Sequence, residues 1–357
     1  MEHRTAARLL VALVTSLLVA TACGGATQQP TAAPATGGAA TAAPATAGAA
    51  TAAPAAPAAA VLTRPAEFVI STAPGGGSDI YARLWITIME KEKALSTSVL
   101  PVNKDGGAGA VAFTYMFEKQ KDPHYVMVTL NSFWTTIITQ KLPYKTTDFT
   151  PIANLAQDPF FLWVAEDSPI KTAADFVKAA QEREMIASGT GAKQEDEVLF
   201  RRIQDQAKTK AFKYVPQSGG GAVAAALAGK QGGVEVTVNN PSEGLSLMQQ
   251  KKIRPVCAFT PASPKEPSGP RDLQVAGLAI DDYYNVRSVV GAPGMTKVQQ
   301  DYWVGVFKKV SAAKDWQDFM SKNALNPDFK SGDDFKKLIE DYEKLHRDIA
   351  TKNGWVQ

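Results

Sequence analysis

The segment "EFVISTAPGGGSDIYARL" (residues 67–84) joins a strand-like apolar run to a helix through three consecutive glycines. A plain connection between the two elements needs at most one glycine, where the backbone adopts a positive φ. Without side chains at residues 75–77, a ligand can approach the main chain closely. The free N–H groups and the dipole at a helix start favour negative charge. The segment therefore predicts an anion-accepting turn.

Three more glycine clusters occur further along the chain: "NKDGGAGA" (103–110), "SGTGA" (188–192) and "QSGGGA" (217–222). Each follows a predicted strand and precedes a predicted helix. In open α/β sheets, ligands bind beyond the carboxyl ends of the strands. One such cluster alone is equally typical of a mobile turn. Four clusters at equivalent positions predict a shared binding surface built from backbone donors.

The chain from about Val61 alternates short apolar runs with amphipathic stretches, which predicts an α/β fold built on largely parallel sheets. Its 357 residues, 45% of them hydrophobic, can support about two domains with cores of their own. Thr172 and Asp175 form a predicted capping box, and Glu195, Asp196 and Glu197 suit the positive end of a helix dipole. The predicted strands cover residues 67–72, 97–102, 125–130, 160–165, 185–189, 211–216, 234–239 and 253–260.

Motifs for other functions are missing from the sequence. It contains no P-loop and no G-x-G-x-x-G, so a carboxylate is a better candidate anion than a phosphate or a dinucleotide. It has no G-x-S-x-G nucleophile motif. His124 lies in a predicted turn and His346 on the polar flank of the last helix, neither beside a nucleophile. We therefore expect a protein that is not an enzyme.

The charge and the metal-binding residue types narrow the partners further. A formal net charge of +3 does not predict a nucleic-acid partner, because such proteins need a concentrated basic face. Three histidines and two cysteines do not predict a metal site. No cofactor is expected. Cys257 lies in an apolar predicted strand, which is typical of core packing.

Residues 1–23 are predicted to be a lipoprotein signal peptide that ends at its lipidation cysteine. Arg4 and Arg8 precede the apolar run "LLVALVTSLLVATA" (9–22), which is too short to span a bilayer of about 30 Å hydrocarbon thickness. Small residues then precede Cys23, as in a bacterial lipobox. The alternative is an ordinary secretory signal followed by a chance cysteine.

Residues 24–60 are predicted to form a disordered Ala/Pro/Thr tether. The segment repeats at a ten-residue step, "TAAPATGGAA", "TAAPATAGAA" and "TAAPAAPAAA", and carries no charged residue. Its prolines interrupt any helix before it can propagate. The tether would hold the folded body at a distance from a membrane that anchors Cys23.

The body from Val61 to the C-terminus resembles the extracytoplasmic solute-binding receptors of tripartite tricarboxylate transporters, also called Bug-type periplasmic binding proteins. Each matching motif is weak alone, but the ordered set is specific. The motifs are "PGGGSDIYARL", "VNKDGGAGAVA", "DFTPIANLAQDPFFLWVAEDSPIKTAADFVKAA", "SGTGA", "YVPQSGGGAVAAALAGKQGGVEVTVNN" and "APGMTKVQQDYWVGVFKKV".

The resemblance implies a two-lobed periplasmic-binding-protein fold of the Venus flytrap type, with two α/β sandwich domains joined by two crossover strands. Lobe 1 would comprise residues 61–158 and 286–357, and lobe 2 residues 159–285. It also implies a monomer that captures a small organic acid outside the cytoplasm and delivers it to a two-component membrane permease. The body would be held at the cell membrane by the lipidated cysteine.

The resemblance also places the ligand contacts at the ends of the strands. Phe133 and Trp134 would supply an apolar wall or pack in the core. Asp79 is better suited to capping its helix than to contacting an acid. We expect valine at Gly76 to block the ligand without unfolding the protein. The implied contacts are Ala73, Pro74, Gly75, Gly76, Gly77, Ser78, Asp79, Asn131 and Ser132 from lobe 1, and Ser188, Gly189, Thr190, Gly191, Ser218, Gly219, Asn239 and Asn240 from lobe 2.

Three alternatives stay open at the level of sequence. The same receptor could serve a sensory system without transport. It could bind a solute other than a carboxylate. An extracytoplasmic hydrolase on an α/β scaffold, with Ser78 as its nucleophile, is the third possibility.

Overall fold

The structure, a computed structural model, describes residues 61–260, 264, 275–278, 280 and 283–356. The predicted signal peptide, Cys23 and the tether lie outside these residues. The strands are β1 (Ala66–Ile70), β2 (Val99–Asn103), β3 (Tyr125–Thr129), β4 (Thr150–Asp158), β5 (Phe160–Ala165), β6 (Met185–Thr190), β7 (Phe212–Gln217), β8 (Val236–Asn239), β9 (Ile253–Phe259), β10 (Asn285–Gly291) and β11 (Asn326–Ser331).

The α-helices alternate with the strands over most of the described chain. They are α1 (Gly77–Lys91), α2 (Ala110–Phe117), α3 (Ser132–Thr139), α4 (Ala173–Glu182), α5 (Glu195–Ala207), α6 (Gly220–Ala228), α7 (Pro241–Gln249), α8 (Lys297–Ala312), α9 (Lys314–Lys322) and α10 (Gly332–Lys352).

The strands form two mixed sheets. The first has the order β11-β4-β10-β3-β1-β2 and the second β7-β6-β8-β5-β9. Strand β1 is parallel to β2 and β3, and β6 is parallel to β7 and β8. The other five pairings are antiparallel. The α/β prediction is confirmed, but the prediction of largely parallel sheets is wrong. Strands β4 and β5 form one extended segment that passes through Pro159 from the first sheet to the second, so no helical crossover sets their direction.

All eight predicted strands are present, with ends within two residues of the prediction. The capping box is also present: the Thr172 hydroxyl accepts from the Asp175 N–H, and the Asp175 carboxylate accepts from the Thr172 N–H. The apolar pattern of the sequence did not predict β4, β10 and β11 as strands, although the family resemblance implied crossover strands at the lobe boundaries, where β4 ends and β10 begins. Two of these, β4 and β10, are central in the first sheet.

Each sheet is covered by an apolar core on both faces. On the first sheet, one core includes Trp85 and Trp303, and the other includes Phe133 and Trp134. Both of the latter residues are fully buried, so they pack in the core and form no cleft wall. The two cores of the second sheet are built on its strands β5, β6, β8 and β9, and Cys257 lies in one of them, as predicted.

The last helix, α10, packs against both sheets. Phe335 and Ile339 belong to a core of the first sheet, whereas Leu345 and Ile349 pack against a core of the second. His346 lies between these contacts and is buried, so its expected place on a polar flank is wrong. Its Nδ1–H donates to the Tyr342 carbonyl and its Nε2 accepts from the Tyr283 hydroxyl. Burial lowers the pKa of His346 to about 4.

Among the described helices, none combines the length and the apolar character needed to cross a bilayer.

The two sheets are connected by the β4–β5 segment, and α10 packs against both of them.

Candidate functional site

All four glycine clusters converge on one cleft between the two sheets. The cleft has two adjoining cavities of about 380 and 340 Å³. We call the first the Arg287 cavity and the second the Gln194 cavity, after a residue that lines each. Their shared wall is formed by Thr72, Ala73, Leu130, Thr190, Glu195 and Ser218.

Most of the residues expected at a ligand line this cleft. Those at the Arg287 cavity are Ala73, Pro74, Gly75, Gly76, Gly77, Ser78, Thr190, Ser218, Gly219 and Asn240. Those at the Gln194 cavity include Ser132 and Gly191. The remaining expected residues, Asp79, Asn131, Ser188, Gly189 and Asn239, lie behind the walls and support them.

Hydrogen bonds to Asp79 stabilise the turn before α1. Its carboxylate accepts from the Gly75 N–H (2.8 Å), Arg83 Nε (2.9 Å) and Asn103 Nδ2 (2.9 Å). Burial alone would raise the pKa of Asp79, but these hydrogen bonds outweigh burial and lower it. Gly75 has a φ of +83°, which favours glycine. Asp79 therefore shapes the turn and is itself fully engaged.

The glycines of this turn differ in what they face. A Cβ on Gly76 would lie 2.8 Å from the Thr72 hydroxyl oxygen, so valine at Gly76 would strain the turn itself. The expectation for this substitution stays a prediction, with the addition that Thr72 would have to shift to admit the valine. A Cβ on Gly77 would point into the Arg287 cavity, 3.4 Å from Glu243 Oε1 and 3.8 Å from Arg287 Nη1. Gly77 is therefore the position at which a side chain would occupy ligand space.

Unpaired backbone donors line the Arg287 cavity from both sheets. The N–H groups of Gly77 and Ser78 begin α1, and those of Gly220 and Gly221 begin α6. None of the four has an acceptor among the described residues. Helix N-termini with free donors are anion-binding positions. A Cβ on Gly220 would lie 2.1 Å from the Glu243 carboxyl carbon, so a larger residue there would displace the Glu243 side chain.

A buried ion pair lies within the first sheet, between β10 and the end of β4 where the chain crosses to the second sheet. The Arg287 guanidinium donates to Asp158 Oδ2 through Nε at 2.9 Å and through Nη2. The Tyr81 hydroxyl donates to the same oxygen at 2.7 Å, and the guanidinium lies over the Tyr81 ring. Arg287 Nη1 has no described acceptor and faces the cleft. Sequence reasoning missed Arg287, because its partner is 129 residues away.

Asparagines complete the connection between the sheets. Asn240 Nδ2 donates to the carbonyls of Asp158 and Pro159, at 3.2 and 2.9 Å, and its Oδ1 accepts from Asn285 Nδ2 and Arg287 Nη2. Asn131 donates to the Tyr284 carbonyl and accepts from the Val286 N–H. Asn131 and Asn240 thus fix the backbone where the chain passes between the sheets.

The wall contributed by the second sheet depends on close packing behind it. The Ser188 hydroxyl donates to the Val215 carbonyl at 2.7 Å, which joins β6 to β7. A Cβ on Gly189 would lie 2.4 Å from the Asp196 Cβ, so the helix start approaches the strand only because residue 189 is glycine. Asn239 Nδ2 donates to the Gly220 carbonyl at 3.3 Å.

One side chain spans the cleft between the sheets. Gln194 precedes α5, and its Oε1 accepts from the Thr135 hydroxyl of α3 at 2.9 Å. Its Nε2 lies 3.1 Å from the Thr136 hydroxyl oxygen. Gln194 is buried, so the helix start of one sheet contacts the helix of the other. The cleft is closed on this side.

Buried acids at the cleft were not expected. Asp196 Oδ2 accepts from the Thr190 N–H at 2.6 Å, and Glu243 Oε2 accepts from the Asn240 N–H at 3.2 Å. Burial raises the pKa of both carboxyls, and at Asp196 the neighbouring charges of Glu195 and Glu243 raise the pKa further. The sequence predicted only that Asp196 would interact with the helix dipole, and it gave no indication that Glu243 would lie at the site.

Glu195 stands out among these acids. It is only 5% exposed, lines both cavities, and its Oε2 has no hydrogen-bond partner. Burial raises the pKa of Glu195 to about 7, with Arg287 opposing the rise. One oxygen of the Glu195 carboxyl is therefore left without a partner in the wall that the two cavities share.

Comparison with known families gives one clear match. The family model for the tripartite tricarboxylate transporter family receptor (TctC) matches residues 86–354. The chain belongs to this family. The resemblance found in the sequence is thereby confirmed, and members of the TctC family are extracytoplasmic solute-binding receptors.

Solved structures of similar proteins share the fold of this TctC-family chain. A TctC solute-binding protein from Polaromonas, without ligand, is 19% identical with a TM-score of 0.63, covering 81% of this chain and 99% of its own. A Rhodopseudomonas palustris protein with adipate is 20% identical (TM-score 0.69, 82% and 98%). MatC of the same organism, with bound malate, is 19% identical (0.66, 80% and 99%). No curated protein sequence gives a significant match.

Proposed function

We propose that this protein is a lipid-anchored extracytoplasmic receptor that captures a small organic carboxylate in the cleft and delivers it to a two-component tripartite tricarboxylate-type permease. Membership of the family supports a transport role. The structures of its relatives with adipate and malate support an organic acid as the ligand. The proposal includes no catalytic step and no cofactor.

The observation that carries the proposal is the set of unpaired donors around the Arg287 cavity. Four backbone N–H groups from the starts of α1 and α6 lack acceptors among the described residues, and Arg287 Nη1 faces the same space. A carboxylate offers about four lone-pair sites and can accept from several of these donors at once. Hydrogen bonds to a charged group are roughly twice as strong as neutral ones, which suits capture of a dilute solute.

The proposed mechanism is closure of two lobes on the ligand. Lobe 1 would comprise residues 61–158 and 286–357, and lobe 2 residues 159–285, with a monomer as the working unit. The donors of α1 belong to the first lobe and those of α6 to the second, so only a closed cleft can satisfy a ligand from both sides. A ligand with this preference shifts the population towards the closed state.

Valine at Gly77 tests the ligand position. The side chain would enter the Arg287 cavity without meeting the protein's own backbone. We expect binding of mono-, di- or tricarboxylates, measured by calorimetry and thermal shift on the purified full chain, to weaken at least 30-fold. Gly305→Val is the matched control, because Gly305 is exposed on α8 with open space around its Cβ. Unchanged affinity in Gly77→Val, or no carboxylate ligand in any of the three classes, would contradict the proposal.

Serine at Cys23 tests the anchor. Without the thiol no lipid can be attached, so we expect the variant to leave the membrane fraction while still binding the same solutes. Cys257→Ser is the control, because that thiol is buried in the core of the second sheet. Membrane association that persists in Cys23→Ser would rule out a lipid on this residue.

A further inference from the structure

The charges of the cleft do not match a ligand that is only an acid. Among the described residues that line the two cavities, Arg287 is the single cation, and it is already paired with Asp158. The same walls carry four acids: Asp105, Glu195, Asp196 and Glu243. A ligand that carried only carboxylates would meet an excess of negative charge here.

The acids at the start of α5 differ in how they are satisfied. Asp196 accepts from the Thr190 N–H and Glu197 accepts from the Lys193 N–H and Arg201. Glu195, the residue before these two, has its Oε2 buried and unpartnered. A buried acceptor without a donor is costly, so it marks a place where a donor is expected from outside the chain.

The geometry does not favour a metal ion as the partner of Glu195. In the described part of the chain, no three His, Cys, Asp or Glu side chains converge as metal ligands would. Asp196 and Glu243, which line the Arg287 cavity with Glu195, each accept from a backbone N–H, whereas Glu195 Oε2 accepts from no donor. A carboxylate oxygen without a partner, in a cavity that also holds unpaired N–H donors, suits an organic cation that is joined to an anionic group.

We propose that the ligand is a zwitterion, in which a protonated amine binds the Glu195 carboxylate while a carboxylate of the same molecule binds the donors of α1, α6 and Arg287. This inference rests on the proposed function and narrows its substrate class from organic acids to amino acids or related aminocarboxylates. Glu195 defines the end of the cavity at which the ammonium lies. The free donors define the other end, so the two ends of the ligand are held in a fixed orientation.

The binding experiment uses matched ligands on the purified full chain. Calorimetry at pH 8 compares α- and ω-amino acids of two to six carbons with dicarboxylates of the same chain lengths. We expect at least one amino acid to bind, and to bind at least tenfold more tightly than the dicarboxylate of equal length.

Two variants then locate the ammonium site. Glu195→Gln should weaken binding of the amino acid at least tenfold, because the neutral amide cannot pair with the ammonium. It should leave dicarboxylate binding unchanged or tighter. Glu197→Gln is the matched control: it makes the same change on the same helical turn, but its carboxylate does not line either cavity. We expect it to bind the amino acid within twofold of the native protein.

The pH dependence separates this inference from its nearest alternative, a protonated Glu195 that donates to a ligand carboxylate. Ammonium binding requires ionised Glu195, so affinity should rise between pH 6 and pH 8. A protonated donor would give affinity that falls over the same range. The titratable groups that face Glu195 are Arg287, Asp196, Glu243, Tyr214 and Tyr283.

Each outcome decides the question. Amino acid binding that depends on Glu195 and strengthens with pH supports the inference. If carboxylates without an amine bind and amino acids do not, or if Glu195→Gln binds amino acids as well as Glu197→Gln does, the zwitterion is overturned and the carboxylate receptor stands. If neither class binds, both proposals fail.

Discussion

Helices α1 and α5 begin in the same way, but the acids in their first turns have pKa shifts of opposite direction. Each follows a parallel strand and a glycine loop, and each has an acid in its first turn. At α1, Asp79 accepts three hydrogen bonds, whereas at α5, Glu195 Oε2 accepts none. An acid at a helix start can therefore complete the local structure, as Asp79 does, or keep an oxygen without a partner, as Glu195 does.

The position within the turn explains the difference. Asp79 is the third residue of α1, from which a short side chain reaches back to the Gly75 N–H. Asp196 and Glu197, the second and third residues of α5, reach back to backbone N–H groups of the preceding loop in the same way. Glu195 is the first residue of its helix, and no N–H of the loop meets its Oε2.

The largest expected effect on stability comes from replacing Arg287, the cation that faces both the α1 and the α5 helix starts. Arg287→Met leaves Asp158 buried without its partner, and losing one member of a buried ion pair costs about 3–5 kcal/mol. We expect urea unfolding to show this loss. The double variant Asp158→Asn with Arg287→Met should recover part of it. A loss below about 1 kcal/mol in the single variant would mean that the pair contributes little.

Glutamine at Glu195 should stabilise the ligand-free protein at high pH. The pKa of Glu195 is raised to about 7 in the folded state, so the folded protein holds this proton more tightly than the unfolded chain does. The native glutamate therefore loses stability as pH rises through that range, and the glutamine does not. We expect Glu195→Gln to be more stable by about 2 kcal/mol at pH 8 and equal to the native protein near pH 4. Equal stability at both pH values would show that Glu195 is not desolvated.

Asparagine at Asp79, the same change from carboxylate to amide, should act in the opposite direction. The pKa of Asp79 is lowered in the folded state, so its stabilising effect is present above the ordinary aspartate pKa and is lost as pH falls below it. Because charged hydrogen bonds are exchanged for neutral ones, we expect Asp79→Asn to lose about 1 kcal/mol at pH 7. A gain in stability would remove the distinction between the two helix starts.

Sequence reasoning found the backbone half of the site and missed the charged half. The glycine clusters were predictable, because strand ends and helix starts leave local signals and parallel strands bring them to one edge. Arg287 and Glu243 were not predictable, since their surroundings come from segments far away in the chain. Glu195 was recognised as a helix-start acid, but only the packing of α5 against β6 shows that it is buried.

The fold shows the same division. Elements with local patterns, such as β5 and the capping box of α4, lie where the sequence predicted them. The apolar pattern did not predict β4 and β10 as strands, and they pair antiparallel with each other at the centre of the first sheet. Their pairing depends on a partner more than 100 residues away, which a local pattern cannot reveal.

The last helix limits how such a receptor can move. Because α10 packs against cores of both sheets, pulling the two sheets straight apart would expose apolar surface at one of those interfaces. In the proposed closure, a rotation of the lobes about α10 would leave both of its apolar contacts in place. His346 lies between the two contacts and stays uncharged near neutral pH, because burial lowers its pKa to about 4. Changes in external acidity around pH 7 therefore leave the packing of α10 unchanged.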